Sequence, residues 1–269
     1  MIPSRSNRHR MLGELVSLDV WHGQLKEAGD TAALHADLFF REARMGGEAD
    51  SNVRFRMSVR KASLVLRLPE DNTIGVDRET VARDSEPVSG TVTRTIVRER
   101  KARGAAVLDF TTAALRPKIN LGAEASGSVQ DKTSVELQRA VSLIVSTGHF
   151  NQGSYQWDLE AFNRGPLHGR PWDAVKNPRL TLIDQRKNKR SSTGAVVLEV
   201  HCVREDLIIS DIHIETGGEW KDIFSLKGGA KTAAAEALIR KRLGEELLPV
   251  TSIDNDFATL IVASVLAES

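Results

Sequence analysis

A strict two-residue period runs between Pro117 and Val145, and it constrains the fold more than any other feature of the chain. Ile119, Leu121, Ala123, Ala125 and Val129 take the odd positions, and Lys118, Asn120, Glu124, Ser126 and Gln130 take the even ones. After a polar break at Asp131-Lys132 the period resumes with Thr133, Val135, Leu137, Arg139, Val141, Leu143 and Val145. Successive side chains alternate sides only in an extended strand, so both runs read as β-strand. Two such runs with a short polar gap predict one long hairpin.

The same period recurs elsewhere. It appears at Glu14–Trp21, Ala32–Phe40 (where a short helix is the alternative), Val53–Val59, Leu64–Leu68, Tyr155–Leu159, Arg179–Asp184, Ala195–Val203 and Leu207–Glu215. The phase flips between Val59 and Leu64, which predicts a bulge or tight turn at Arg60-Lys61-Ala62. Residues 1–10 show no period and read as disordered; 70–90 and 164–178 read as loops. Thr91–Val97 suits a strand, and Arg98–Leu108 a helix. Near the end the period lengthens. Ala235, Ile239, Leu243 and Leu247 recur at helical spacing, with Lys231, Glu236, Arg240 and Glu246 on the other face. Phe257–Ala267 is apolar on nearly all sides and is assigned a buried helix, with Asp254 or Asp256 as its cap. The expected fold is mainly β (α+β), an antiparallel β-sandwich-like domain with a C-terminal helical appendage. Its expected divisions are a disordered basic N-terminus (1–12), a β-rich domain (13–222) and a helical segment packed on it (223–269).

At 269 residues the chain is long enough to bury a large core. Lysine and arginine number 37 and aspartate and glutamate 36, so the net charge is +1 and any pull on an anion must be local. The one cysteine, Cys202, excludes an internal disulfide and leaves no disulfide-linked partner to expect. There is no signal-peptide pattern and no run of about 20 apolar residues. The expectation is a soluble, cytoplasmic protein of bacterial style with no cofactor.

Four groups of residues suggest chemistry. The 117–145 hairpin has the period of a membrane-inserting strand pair, and Ile119, Leu121, Val129, Val135, Leu137 and Val141 would face lipid. A sheet with one wet face shows the same alternation. The second group is basic: Arg54, Arg56 and Arg60 on one strand face; Arg98, Arg100, Lys101 and Arg103; and Arg186, Lys187, Lys189 and Arg190. Clustered cations gather the phosphates of lipid head groups or nucleic acid, although edge charges also serve simply to solvate a sheet. The third is Asp211, His213 and Glu215, a row at alternate positions that would suit a divalent metal or simply form a polar strand face. The fourth is Glu219-Trp220-Lys221. With Asp206 or Asp211 upstream it has the acidic-x-Lys order of Mg²⁺-dependent nucleases, though it follows Gly217-Gly218 rather than sitting in a strand. Gly228-Gly229-Ala230-Lys231-Thr232 lacks the glycine spacing of a phosphate loop.

The alternation in 117–145 resembles the insertion hairpins of pore-forming families such as the gasdermins. The resemblance rests on pattern over about a fifth of the chain. It implies a membrane-active protein restrained by its C-terminal helix, Phe257–Ala267. The N-terminal lipidated cysteine of bacterial members has no counterpart, since Cys202 is the only cysteine. The leading expectation is a non-enzymatic binding module whose basic loops meet another protein or an anionic surface, with a homo-oligomer as an option. The membrane-active reading and a nuclease-like hydrolase using Asp211, Glu219 and Lys221 are the alternatives.

Overall fold

The computed structural model describes residues 8–47, 51–83, 92–98, 131–137, 144–151, 154–186, 195–214, 228–249 and 253–267, with 92–98 and 131–137 described by backbone path and pairing. The chain divides into two compact units: residues 1–86 with 142–269, and residues 87–141.

The first unit is built almost wholly of antiparallel strands. A six-stranded sheet runs in the order β1 (Arg8–Met11), β15 (Thr259–Ala267), β13 (Val196–Val203), β6 (Lys61–Arg67), β11 (Ser154–Ala161), β10 (Ile144–Asn151). A four-stranded sheet runs β2 (Val16–His22), β3 (Thr31–Phe40), β12 (Leu180–Asp184), β7 (Ile74–Asp77). A third holds β14 (Leu207–Ile214), β5 (Val53–Val59) and β4 (Ala43–Gly46). The mainly β, sandwich-like architecture with a C-terminal helix is therefore present.

Alternation explains the core. Along β3, Ala32, Leu34, Ala36, Leu38 and Phe40 are buried while the residues between them are half-buried; Val196, Leu198, Val200 and Cys202 repeat this on β13. These side chains join Trp157, Leu64 and Leu159 in one apolar cluster shared by the sheets. The helix α1 (Gly228–Glu245), rich in alanine, buries Ala235, Ile239 and Leu243 at four-residue spacing in the same cluster. Arg204 pairs with Glu236 and ties α1 to the 3-10 turn Arg204–Asp206.

Several expectations are corrected. Phe257–Ala267 is not a helix: its residues 259–267 form β15, an interior strand between β1 and β13. A nine-residue apolar run fits a buried strand as well as a buried helix, and Thr259, Ile261, Val262 and Val265 are β-branched. A bulge at Val200/His201 lets both Val262 and Ala263 be buried. With no helix there, Asp254 and Asp256 cap none. Arg8–Met11, expected to be disordered, pairs along β15, because any backbone beside that strand gains its ladder bonds. Ile74–Asp77 is a strand inside an expected loop. The phase flip at Arg60, expected as a bulge or tight turn, is a tight corner: β5 and β6 lie in different sheets, so each buries its own face.

The long hairpin is also redrawn. Residues 117–130 and 138–143 lie outside the described residues. Asp131–Leu137 is β9, and its partner is β8 (Val92–Arg98), from Val92 opposite Leu137 to Arg98 opposite Asp131. Asp131-Lys132 is thus inside a strand and makes no turn. Ile144 and Val145 belong to β10, whose partner is β11. Alternation identifies a strand without naming its neighbour, and here the neighbour lies about 40 residues upstream. The β8–β9 ribbon belongs to the second unit. Arg98 is the last residue of β8, and 99–108 lie outside the described residues.

Candidate functional site

Within the first unit, the last described residues before the 87–141 unit, Ala82 and Arg83, are held beside β10, the first described strand after it. The outgoing leg follows β7 through the 3-10 turn Arg78–Thr80 to Arg83. There the Thr181 amide donates to the Thr80 hydroxyl (2.8 Å), the Ala82 amide to the Arg179 carbonyl (2.8 Å), and the Gly148 amide to the Arg83 carbonyl (2.7 Å). The buried Trp157 ring donates Nε1–H to the Ala82 carbonyl at 2.7 Å. The returning leg is β10 itself, which holds Gly148. A Cβ at Gly148 would fall inside contact distance of the Ala82 carbonyl and 2.9 Å from Trp157 Cδ1, so the close approach requires glycine. The sequence signal for this clip was an isolated glycine inside a strand.

Among the described basic candidates, Arg56, Arg60 and Arg186 are engaged with carboxylates. Arg54 and Arg56 do share the exposed face of β5. Arg56 meets Glu42 at 3.2 Å and Asp211 at 3.1 Å. Arg60 at the corner donates Nε–H to Asp206 (2.8 Å), whose side chain is largely buried, and that bond raises the guanidinium pKa. Arg186 clasps Asp184 through both carboxylate oxygens and also reaches the Leu25 carbonyl. The side-chain bond to Arg186 holds the Asp184 carboxyl below its ordinary range against the opposing effect of burial. Arg100, Lys101, Arg103, Lys187, Lys189 and Arg190 lie outside the described residues.

The described part of the candidate metal row, Asp211 and His213, lies on an irregular stretch of β14. Asp211 stands at φ 52°, and the β14–β5 register shifts between Ser210 and His213. Asp211 and His213 are both exposed, with Ile212 half-buried between them. Glu215, Glu219 and Lys221 lie outside the described residues. Among the described residues no three His, Cys, Asp or Glu side chains stand together as a metal site. Cys202 is buried, and desolvation pushes its thiol up to about 12, so it is not a nucleophile at neutral pH.

The outer face of the six-stranded sheet carries a groove of about 1070 Å³. Register sets its floor. Thr147, Asp158, Ser63 and His201 form one rung across β10, β11, β6 and β13. Ser63 donates to Asp158 Oδ1 (2.7 Å), and Gln156 Nε2 donates to Asp158 Oδ1 (2.7 Å) and Ser63 Oγ (3.2 Å). His201 Nε2 lies 2.8 Å from Glu199 Oε2, and Arg67 reaches the same oxygen at 2.6 Å. Burial pushes the Glu199 carboxyl up, but these two bonds outweigh it and leave it below its ordinary value. The even positions of β11 run Gln156, Asp158, Glu160 and continue to Phe162, which is 56% exposed. Sequence reasoning passed over these residues because an outward polar row is what any wet sheet face shows.

No protein-family model matches the chain, and no curated protein matches it. Among solved structures it is similar to one described as a pore forming protein, at 8% identity and a TM-score of 0.29, over 74% of this chain and 78% of that one. It is similar also to the Clostridium perfringens NetB toxin in the membrane inserted form, at 8% identity and a TM-score of 0.29, over 80% of this chain and 91% of the toxin. Likeness at that level carries no argument for this chain. No described helix is long and apolar enough to cross a membrane.

Proposed function

We propose that this is a membrane-active protein whose 87–141 unit is the membrane-engaging element, carried by the β-sandwich-like unit. One observation carries the reading. Residues 87–141 form a unit of their own that contains an antiparallel ribbon, inserted in sequence between residues 86 and 142 of a unit that has its own core. A segment inserted in that way can rearrange without opening the core. A transmembrane strand needs about 9–11 residues. At roughly 3.3 Å per residue, Pro117–Val129 would span about 43 Å when extended, and Val135 and Leu137 continue the odd-numbered apolar set. The anionic partner of the basic clusters is then the lipid head-group surface.

Restraint by a C-terminal helix does not enter this reading, because 259–267 is a core strand. The test is release of dye from vesicles of mixed phosphatidylcholine and phosphatidylglycerol by the full chain. Leakage is expected from the native protein and is expected to be lost in Val135→Asp and Leu121→Asp, with the thermal transition unchanged. Vesicles that stay sealed with the native chain at every salt concentration and after limited proteolysis would sink the proposal.

A further inference from the structure

The groove on the six-stranded sheet is not used by the membrane reading, and its chemistry is specific. We infer that it is a binding site for a neutral oligosaccharide, with the Thr147–Asp158–Ser63–His201 rung meeting hydroxyls and Phe162 stacking on a sugar face.

The charges decide the class. Arg60, Lys61 and Arg164 line the groove, and so do Asp158, Glu160, Glu205 and Asp206. Arg60 is held by Asp206 and Lys61 by Glu160 (3.4 Å), so neither sign is left in excess enough to gather an anion or a polycation. A phosphate would face four carboxylates. An apolar ligand would strip water from the polar rung with nothing to replace it. A neutral ligand rich in hydroxyls matches both conditions.

The hydrogen-bonding capacity left on the rung is of the matching kind. Both amide hydrogens of Gln156 are directed to Ser63 and Asp158, which leaves Oε1 as an acceptor. Ser63 spends its own hydrogen on Asp158, whose Oδ2 sits 3.6 Å from His149 Nδ1. His201 gives its Nε2 proton to Glu199, so its Nδ1 is an acceptor in the neutral ring. Three acceptors fixed by their neighbours, beside the Thr147 hydroxyl and the Lys61 ammonium, suit groups that donate and accept at once. Their mutual bonds hold them in place before any ligand arrives, so little rotamer freedom remains to be lost.

Shape agrees. The groove reaches from Thr259 on β15 to Val145 on β10, five adjacent strands, or about 19 Å at the usual spacing. That length accommodates several sugar rings in a row. Phe162 and Val145 are exposed apolar groups at its β10–β11 end, beside Glu160. A sugar ring offers an apolar face of C–H bonds and an edge of hydroxyls, and here an exposed aromatic ring continues a polar row on one strand.

The experiment is titration of the full chain, without vesicles, against neutral hexasaccharides built from glucose, mannose or galactose, and against a heparin-derived hexasaccharide. Saturable binding to at least one neutral hexasaccharide is expected. It should weaken roughly tenfold or more in Phe162→Ala and in Gln156→Ala, and stay unchanged in Val175→Ala, an exposed site outside the groove. The proposal is overturned by no saturable binding to any neutral hexasaccharide, by binding to the heparin fragment only, or by binding that survives both groove substitutions. Because no membrane is present, the outcome is independent of whether the protein makes vesicles leak.

Discussion

Asp184 shows how one residue sets a pH dependence. It is 3% exposed and accepts from Arg186 on both oxygens. The Arg186 bond depresses its folded pKa, so it contributes stability that is present above the ordinary carboxylate range and lost as pH falls through the lower folded value. Glu199 adds the same sign, its bonds to His201 and Arg67 overcoming the upward push of burial. Asp184→Asn is therefore expected to lower the urea midpoint at pH 7, with the gap to the native protein closing below about pH 4. A gap of equal size at both pH values would contradict this assignment. Trp157→Phe removes the Nε1–H bond to Ala82 and the five-membered ring of a fully buried indole. It should cost about 2–4 kcal/mol in denaturant unfolding, the lost bond and the cavity together.

At the scale of elements, β15 and the Gly148 clip carry the strongest expectations. β15 buries Leu260, Val262, Ala263, Val265 and Ala267 and bonds to strands on both sides. Each buried Leu or Val is worth about 1.5–3 kcal/mol, so losing the strand removes a large part of a typical domain's ~5–15 kcal/mol. A chain ending near Val250 is expected to lack a cooperative thermal transition; a sharp melt at the native temperature would show that β15 is dispensable. Gly148→Ala should destabilise by about 1–3 kcal/mol through overpacking against Ala82 and Trp157. Hydrogen exchange at Ala82 and Gly148 would report it, and unchanged protection there would mean that the leg is not clamped.

For the whole molecule, the division into two units makes a separable prediction. Replacing 99–130 by a short Gly-Asn turn leaves every strand of the first unit intact. The thermal transition should stay within a few degrees of the native one while dye release from anionic vesicles is lost. A collapse of the transition would mean that the first unit depends on the segment, contrary to its own core. Binding to those vesicles should also weaken as salt rises, since the screening length falls to about 8 Å at physiological ionic strength.

The sequence by itself determined most of the strands, because burial on one face imposes a period of two that can be read without any partner. Val53–Val59, Thr31–Phe40 and Val196–Val203 are of this kind. The four-residue spacing of Ala235, Ile239 and Leu243 marked α1 for the same reason. What periodicity does not encode is the neighbour. Ladder bonds are made by backbone atoms that every residue shares, so only the tertiary structure decided that β9 pairs with β8 and that Arg60 is a corner between sheets. Where both faces are covered, the period itself vanishes, and Thr259–Ala267 reads equally as helix or strand until β1 and β13 are placed beside it. The groove was hidden for the complementary reason. Ser63, Asp158 and His201 are far apart in sequence, each an ordinary outward polar residue, and they become one rung only through the register of four strands.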